Sequence, residues 1–256
     1  MNIAHPPLDL SALLVDDVGT GRPMLLLHGG GGPATVRDLG LALAAEARVL
    51  TPTHPGFGGT GRPAELDNVA ALAAHYLHML VERGLNDVVL IGSSIGGWIA
   101  AEMAIQNSRR LGALVLLNPV GISTPDAVVK NVAGLSREAL VRLASHDADR
   151  VLANTPPATP ERLAQLASNG AALTAYDHGA GMMAAGLRER LSSVTVPALV
   201  LWGVSDGIAP PAYGRAYAAA FGNGGFEEVV GAGHLPHIEQ PAHVLAAIRR
   251  FLDDHA

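Results

Sequence analysis

The stretch VVLIGSSIGGWIA, Val88 to Ala100, decides the fold. Its first four residues are apolar without alternation, as a strand covered on both faces requires. Gly92, Ser94 and Gly96 follow in the spacing G-x-S-x-G. Ile95 to Gln106 then carries a helical pattern with Gly96, Gly97, Ala100 and Ala101 near its start, small residues that let a helix sit close to a sheet. With 30 glycines and eleven serines in 256 residues, chance supplies about 0.15 matches to the bare spacing, so the strand before it and the helix after it carry the weight. A serine at so sharp a turn is forced into a strained backbone that exposes its Oγ, and flanking side chains would clash, hence the glycines. The helix that follows points its N-terminal dipole at the hydroxyl.

Four further apolar runs predict buried strands: Met24 to Leu27, Arg48 to Leu50, Ala113 to Leu117 and Ala198 to Trp202. A last strand is expected in FEEVV, from Phe226, ahead of the final helix. Between the runs lie helical patterns. Asp67 to Arg83 places Val69, Leu72, Ala73, Tyr76, Leu77 and Leu80 three and four apart, and Pro241 opens a stripe of Val244, Leu245, Ile248, Phe251 and Leu252. Strands alternating with helices predict an α/β fold with a doubly wound, mostly parallel sheet. Ile122 to Ser192 breaks the alternation with helical patterns alone, including a cap at Thr159 before Pro160 and a stop at Gly170. About seventy such residues are too many for a simple crossover. The expected organisation is a core over 1–121 and 193–256 with a small helical cap over 122–192.

Composition narrows the function. Net charge is -6, and the basic residues are sixteen scattered arginines and one lysine, Lys130, so no stripe offers a track for phosphates and no nucleic-acid partner is expected. The chain has no cysteine, which excludes disulfides, thiolate nucleophiles and cysteine-ligated zinc. The start MNIAHPPLDLSALLVDD lacks a basic segment and a long apolar core, so it does not read as a signal peptide. Apolar runs are far shorter than the roughly 18 residues that span a bilayer, and a soluble, cytoplasmic protein is expected. The run Gly29 to Gly32 is not a nucleotide cradle: neither G-x-x-x-x-G-K-[ST] nor G-x-G-x-x-G with a following acid is present.

Four more stretches complete the pattern: LLLHGGGG at Leu25 to Gly32, THPGFGGTGRP at Thr53 to Pro63, LWGVSDGIAP at Leu201 to Pro210 and GAGHLPHIEQP at Gly231 to Pro241. With the serine turn, and in this order, they make nearly the whole chain resemble the α/β-hydrolase family. The resemblance implies an HG-rich oxyanion loop, an acid loop and a histidine loop. A serine is a poor nucleophile unless a base lies within hydrogen-bond reach and a third group fixes that base's tautomer. Ser94, Asp206 and His234 take these roles, with His237 as the rival base and Asp126 as the substitute acid. Ser93 is read as a packed turn residue and His28 as a structural hydrogen-bonder. Oxyanion donors are expected from the backbone amides of Ile95 and Gly30, with Gly31 as second choice. Gly31, Tyr176, Met182, Met183 and His178 are candidates for the substrate pocket, although methionines at such spacing also suit plain core.

The resemblance implies hydrolysis of a small carboxylic ester through an acyl-enzyme, with no metal and no organic cofactor. Serine members of the family also cleave carbon-carbon bonds in ring-cleavage products, hydrolyse lactones or thioesters, or act as cofactor-free haloperoxidases, and fold alone does not separate these. A serine at position 94 excludes the aspartate-dependent dehalogenases and epoxide hydrolases. Carbon-carbon cleavage calls for a cationic residue facing the substrate carboxylate, a part open to Arg188 or Arg190. A ligand-binding receptor that keeps the triad is the non-enzymatic alternative, and turnover separates it from an enzyme.

Overall fold

Each predicted apolar run forms a strand. A computed structural model describes residues 13–132, 134–155 and 158–255. The first twelve residues, part of the stretch read against a signal peptide, lie outside it. In chain order the elements are β1 (Val15–Val18), β2 (Pro23–Leu27), α1 (Arg37–Leu43), β3 (Arg48–Pro52), α2 (Val69–Glu82), β4 (Val88–Ser93), α3 (Ile95–Gln106) and β5 (Leu111–Leu117). They continue with α4 (Arg137–Ala144), α5 (Ala148–Asn154), α6 (Pro160–Asp177), α7 (Leu187–Arg190), β6 (Ala198–Gly203), α8 (Pro211–Ala220), β7 (Gly224–Val229), α9 (Pro236–Glu239) and α10 (Pro241–Asp253).

The strands make one seven-stranded sheet in the order β1-β3-β2-β4-β5-β6-β7, parallel throughout except for β1, which runs antiparallel along β3. Every residue of β4 and β6 is buried. Continuous apolarity follows, because side chains alternate between two covered faces. Leu25, Leu27, Leu90, Leu116 and Trp202 pack on one face with Tyr76, Ile99 and Tyr213 of α2, α3 and α8. Leu26, Val89, Val115 and Leu201 pack on the other with Leu39 and Leu43 of α1 and Val244 and Ile248 of α10. This is the doubly wound sheet the alternation predicts.

Sequence reading misses β1. Three of its four residues, Asp16 to Val18, are exposed, so it has no apolar run to find, and it is held by the ladder to β3 and by Asp17, which pairs with Arg48 at 2.7 Å and Arg83 at 3.4 Å. The predicted stop at Gly170 is also overturned. Thr159 does cap α6, accepting from the Arg162 amide at 3.3 Å, but the helix continues through Gly170 to Asp177. A mid-helix glycine costs only about 1 kcal/mol, and burial of Asn169, Ala172 and Tyr176 on one face of α6 outweighs it. Between β5 and β6 the described residues form helices α4 to α7 and no strand. No helix among the described residues is long and apolar enough to cross a membrane.

Candidate active site

β4 ends at Ser93 and α3 begins at Ile95, which leaves Ser94 alone at the corner with φ 53° and ψ −118°. A non-glycine residue held there costs on the order of 1–3 kcal/mol and persists only because its surroundings fix it. The Ser94 amide donates to Leu117 O at 3.0 Å, tying the corner to β5, and its carbonyl accepts from Gly97 N at 2.9 Å as the helix starts. Both flanking glycines are demanded by space. A Cβ on Gly92 would strike the Gly96 carbonyl, and one on Gly96 would strike the carbonyls of Leu27 and His28. The corner therefore sits directly against the loop after β2.

His234 follows β7 and Asp206 follows β6. His234 Nε2 lies 3.0 Å from Ser94 Oγ, and its Nδ1 lies 2.8 Å from Asp206 Oδ2. Because the carboxylate only accepts, Nδ1 carries the proton, and Nε2 is left with a lone pair for the Ser94 hydroxyl. Asp206 is saturated: Oδ1 accepts from the amides of Ile208 at 2.8 Å and Ala209 at 3.2 Å, and Oδ2 also accepts from Asn118 Nδ2 at 2.7 Å. Burial alone pushes this carboxyl up. The positive charge that His234 carries when protonated, together with the bonds from His234, Asn118 and Ala209, outweighs burial and holds it below the ordinary carboxylate value.

Asn118 is a site residue that sequence reading misses. It is fully buried at φ 43°, and while its Nδ2 serves Asp206 its Oδ1 accepts from Gly203 N at 3.1 Å. A signal existed in LLNPV: a polar residue immediately after a buried central strand, with strands on both sides.

The glycine loop after β2 rests on two buried histidines. His28 Nε2 accepts from the His54 amide at 3.0 Å, so its Nδ1–H donates to Gly29 O at 2.8 Å. His54 Nε2–H in turn donates to His28 O at 2.9 Å, and its Nδ1 accepts from the Tyr76 hydroxyl. Burial pushes His28 down to about 4 against the opposing bond to Gly29, and burial with the neighbouring His28 pushes His54 well down, so both rings are neutral. His28 is thus a structural hydrogen-bonder, and His54 is a second one that sequence reading did not name. Ile95, as the first residue of α3, has an amide with no intrahelical acceptor. Among the described residues no acceptor takes the Gly30 amide either. Leu173 of α6 lies over Gly30, a methyl 3.3 Å from where a Cβ would stand.

His237 is buried; its Nε2–H donates to Thr35 O at 3.0 Å and burial pushes it down to about 4. It is therefore a packed neighbour of the glycine loop and faces neither Ser94 nor Asp206 through a hydrogen bond. Asp126 is exposed, and it is Asp206 that holds the His234 ring. Ser93 is buried within β4. Gly31 is half-buried against Thr35, and Met182 and Met183 are half-buried in the turn after α6, where Met183 bridges to Gly121. Tyr176 is buried, its hydroxyl donating to Pro55 O at 3.0 Å and its ring stacked on Phe57. His178 ends α6 in the left-handed region. Arg190 makes a bidentate pair with the buried Glu102 at 2.9 and 2.7 Å. Arg188 is half-buried. No group of three His, Asp or Glu side chains able to hold a metal occurs among the described residues.

A mostly parallel sheet with a serine at a strand-to-helix corner, an acid after one later strand and a histidine after the next defines an α/β-hydrolase. The chain belongs to the alpha/beta hydrolase family, which it matches over residues 24–248. It is 29% identical to a thermophilic esterase of Thermogutta terrifontis, with a TM-score of 0.70 over 95% of this chain and 94% of that one. It is 37% identical over 112 residues to 2-hydroxy-6-oxo-2,4-heptadienoate hydrolase of Pseudomonas putida, covering 42% of this chain and 41% of that protein. It is also 31% identical over 248 residues, 92% of its length, to the polyketide synthase ThaQ of Burkholderia thailandensis, of which it spans 12%. Fold and family place it among hydrolytic enzymes.

Proposed function

We propose that the protein hydrolyses a small carboxylic ester through an acyl-enzyme on Ser94. The observation that carries this reading is the unbroken hydrogen-bonded line from Ser94 Oγ through both nitrogens of His234 to Asp206, at 3.0 and 2.8 Å. Ser94 Oγ attacks the ester carbonyl carbon and its proton passes to His234 Nε2, while Asp206 stabilises the imidazolium. The oxyanion accepts from the amides of Ile95 and Gly30, each donor being worth about 2.7–4 kcal/mol. As the tetrahedral species collapses, the ester C–O bond breaks and His234 returns the proton to the departing alkoxide. Water then attacks the acyl carbon with His234 as base, and the carboxylic acid leaves Ser94 free. Gly31, Met182, Met183 and the buried Tyr176 form the acyl and alcohol side of the site in this reading. No step needs a metal or organic cofactor.

Carbon-carbon cleavage is the second reading, favoured by the stretch of likeness to the Pseudomonas putida hydrolase. Against it stands the commitment of Arg190 to Glu102, which leaves Arg188 as the cation from that helix for a substrate carboxylate. Steady-state hydrolysis of p-nitrophenyl acetate, butyrate and octanoate by wild type and Ser94→Ala decides the matter. Turnover that vanishes in the variant is expected, and its chain-length profile sizes the pocket. Activity surviving in Ser94→Ala removes the serine mechanism. Silence on every ester with bleaching of a vinylogous diketo acid transfers the assignment to carbon-carbon cleavage.

A further inference from the structure

One turn of the helical insertion is bonded to both loops that carry the acid and the histidine. The last two residues of α4, Leu143 and Ala144, have carbonyls without intrahelical donors. Leu143 O accepts from Gly207 N at 2.8 Å, one residue past Asp206, and Ala144 O accepts from His234 N at 2.7 Å. Glu239 of α9 closes the arrangement. Its Oε2 accepts from Gly233 N at 2.7 Å, and its Oε1 accepts from His146 N at 2.9 Å in the turn after α4. His146 Nδ1 also pairs with Ser205 Oγ at 2.7 Å, on the residue before Asp206.

We propose that Glu239 is a positioning residue for His234, bridging the backbone beside the imidazole to the turn after α4 so that the insertion fixes the geometry of the acid and base. The proposal rests on the triad reading above. Each oxygen of Glu239 serves a different segment, and that division carries the argument. A glutamine has the same shape but one acceptor oxygen. Whichever amide it satisfies, its NH₂ faces the other, so Glu239→Gln cuts the bridge without opening a cavity. If Gly233 is the amide released, one of the two bonds that fix the backbone at His234 is gone, and if His146 is released the turn after α4 loses its tie to that loop; in either case the 3.0 Å approach of Nε2 to Ser94 Oγ loosens. Misplacement of about 1 Å can cost on the order of 100-fold in rate.

The test is inactivation by diethyl p-nitrophenyl phosphate, in which Ser94 Oγ displaces p-nitrophenolate at phosphorus and His234 takes the serine proton. This step depends on the Ser94–His234 pair and little on recognition of acyl or alcohol groups. For Glu239→Gln, the inactivation rate and the kcat for p-nitrophenyl acetate are expected to fall together by about 10- to 100-fold, with KM within about two-fold of wild type. Ser205→Ala loosens the same turn from the acid loop by removing one hydroxyl. It is expected to fold and to lower both rates by about three-fold. If Glu239→Gln folds and reacts within about two-fold of wild type, or changes KM alone, the bridge is only an anchor and the proposal falls while the triad stands. If Glu239→Gln does not fold, unchanged rates in Ser205→Ala overturn the proposal. If wild type itself is neither inactivated nor active on esters, the triad reading falls and takes this one with it.

Discussion

Replacing Asp206 with asparagine tests whether the carboxylate sets the tautomer of His234. The two amides of Ile208 and Ala209 aim at Oδ1 from a fixed backbone, whereas Oδ2 meets two side-chain donors, His234 Nδ1–H and Asn118 Nδ2–H. In Asp206→Asn the single remaining oxygen is drawn to the two backbone donors, so the new NH₂ falls where Oδ2 stood. It then faces His234 as a donor, and the imidazole must answer with a lone pair at Nδ1. The proton moves to Nε2, the atom 3.0 Å from Ser94 Oγ, which can no longer accept the serine proton. Loss of the correct tautomer and of imidazolium stabilisation is worth on the order of 10⁴ in kcat, or about 5.4 kcal/mol. Initial rates on p-nitrophenyl acetate, with Ser94→Ala as the floor, read this directly. A fall of less than about 10-fold in a cooperatively folded variant would mean that Asp206 does not orient the base. Asp206→Ala leaves both backbone donors buried and unpaired, at about 1–3 kcal/mol each, so it should be the less stable of the two variants.

Two further outcomes concern stability. His28 and His237, both pushed down to about 4, bind protons more readily when unfolded. Their contribution is present above the ordinary histidine value and is lost as pH falls from about 6.5 towards 4, by about 3 kcal/mol each. Urea midpoints at pH 7.5 and pH 4.5 should differ accordingly, and equal midpoints would contradict the neutral buried rings; Asp206, held low, adds loss only at still lower pH. Arg190→Met strands Glu102, whose side chain is 3% exposed, while Arg190 itself is 44% exposed, so a loss of about 2 kcal/mol in unfolding free energy is expected. The double variant with Glu102→Leu should regain most of that loss, and failure to regain it would show that Arg190 contributes by packing instead.

What the sequence discloses is what local sterics or periodicity enforce. The serine corner is legible because backbone carbonyls forbid a Cβ at Gly92 and Gly96. The buried strands are legible because two covered faces make them apolar throughout. Asp206 is legible as a polar residue just past the end of such a strand, β6, whereas His234 follows the half-exposed β7 and is legible through the family resemblance of GAGHLPHIEQP. Asn118 is not, because its role comes from register: Leu117 pairs with Ser93 on one side and Leu201 on the other, so the next residue emerges between the serine corner and the acid loop. His54 is hidden likewise, since only the parallel pairing of β2 with β3 brings its amide to His28. β1 carries too few buried side chains to show, and the glycine within α6 misleads because its small cost is outweighed by a buried face.

The helices between β5 and β6 meet the site on two sides. On one, Leu173 of α6 stands over Gly30, and Asn169 Oδ1 accepts from Gly58 N at 2.8 Å beside the loop that carries His54. On the other, the end of α4 and the turn after it hold the acid and histidine loops. The two contacts differ in kind. Leu173 acts through its side chain, which also packs against the core. The contacts of α4 itself are made by the main-chain carbonyls of Leu143 and Ala144, so any sequence that keeps a helix ending there can supply them, whereas the turn after it is held through the side chains of His146 and Glu239. The loops of Asp206 and His234 are therefore held by backbone geometry, provided that the length of α4 and the Glu239 contacts are kept.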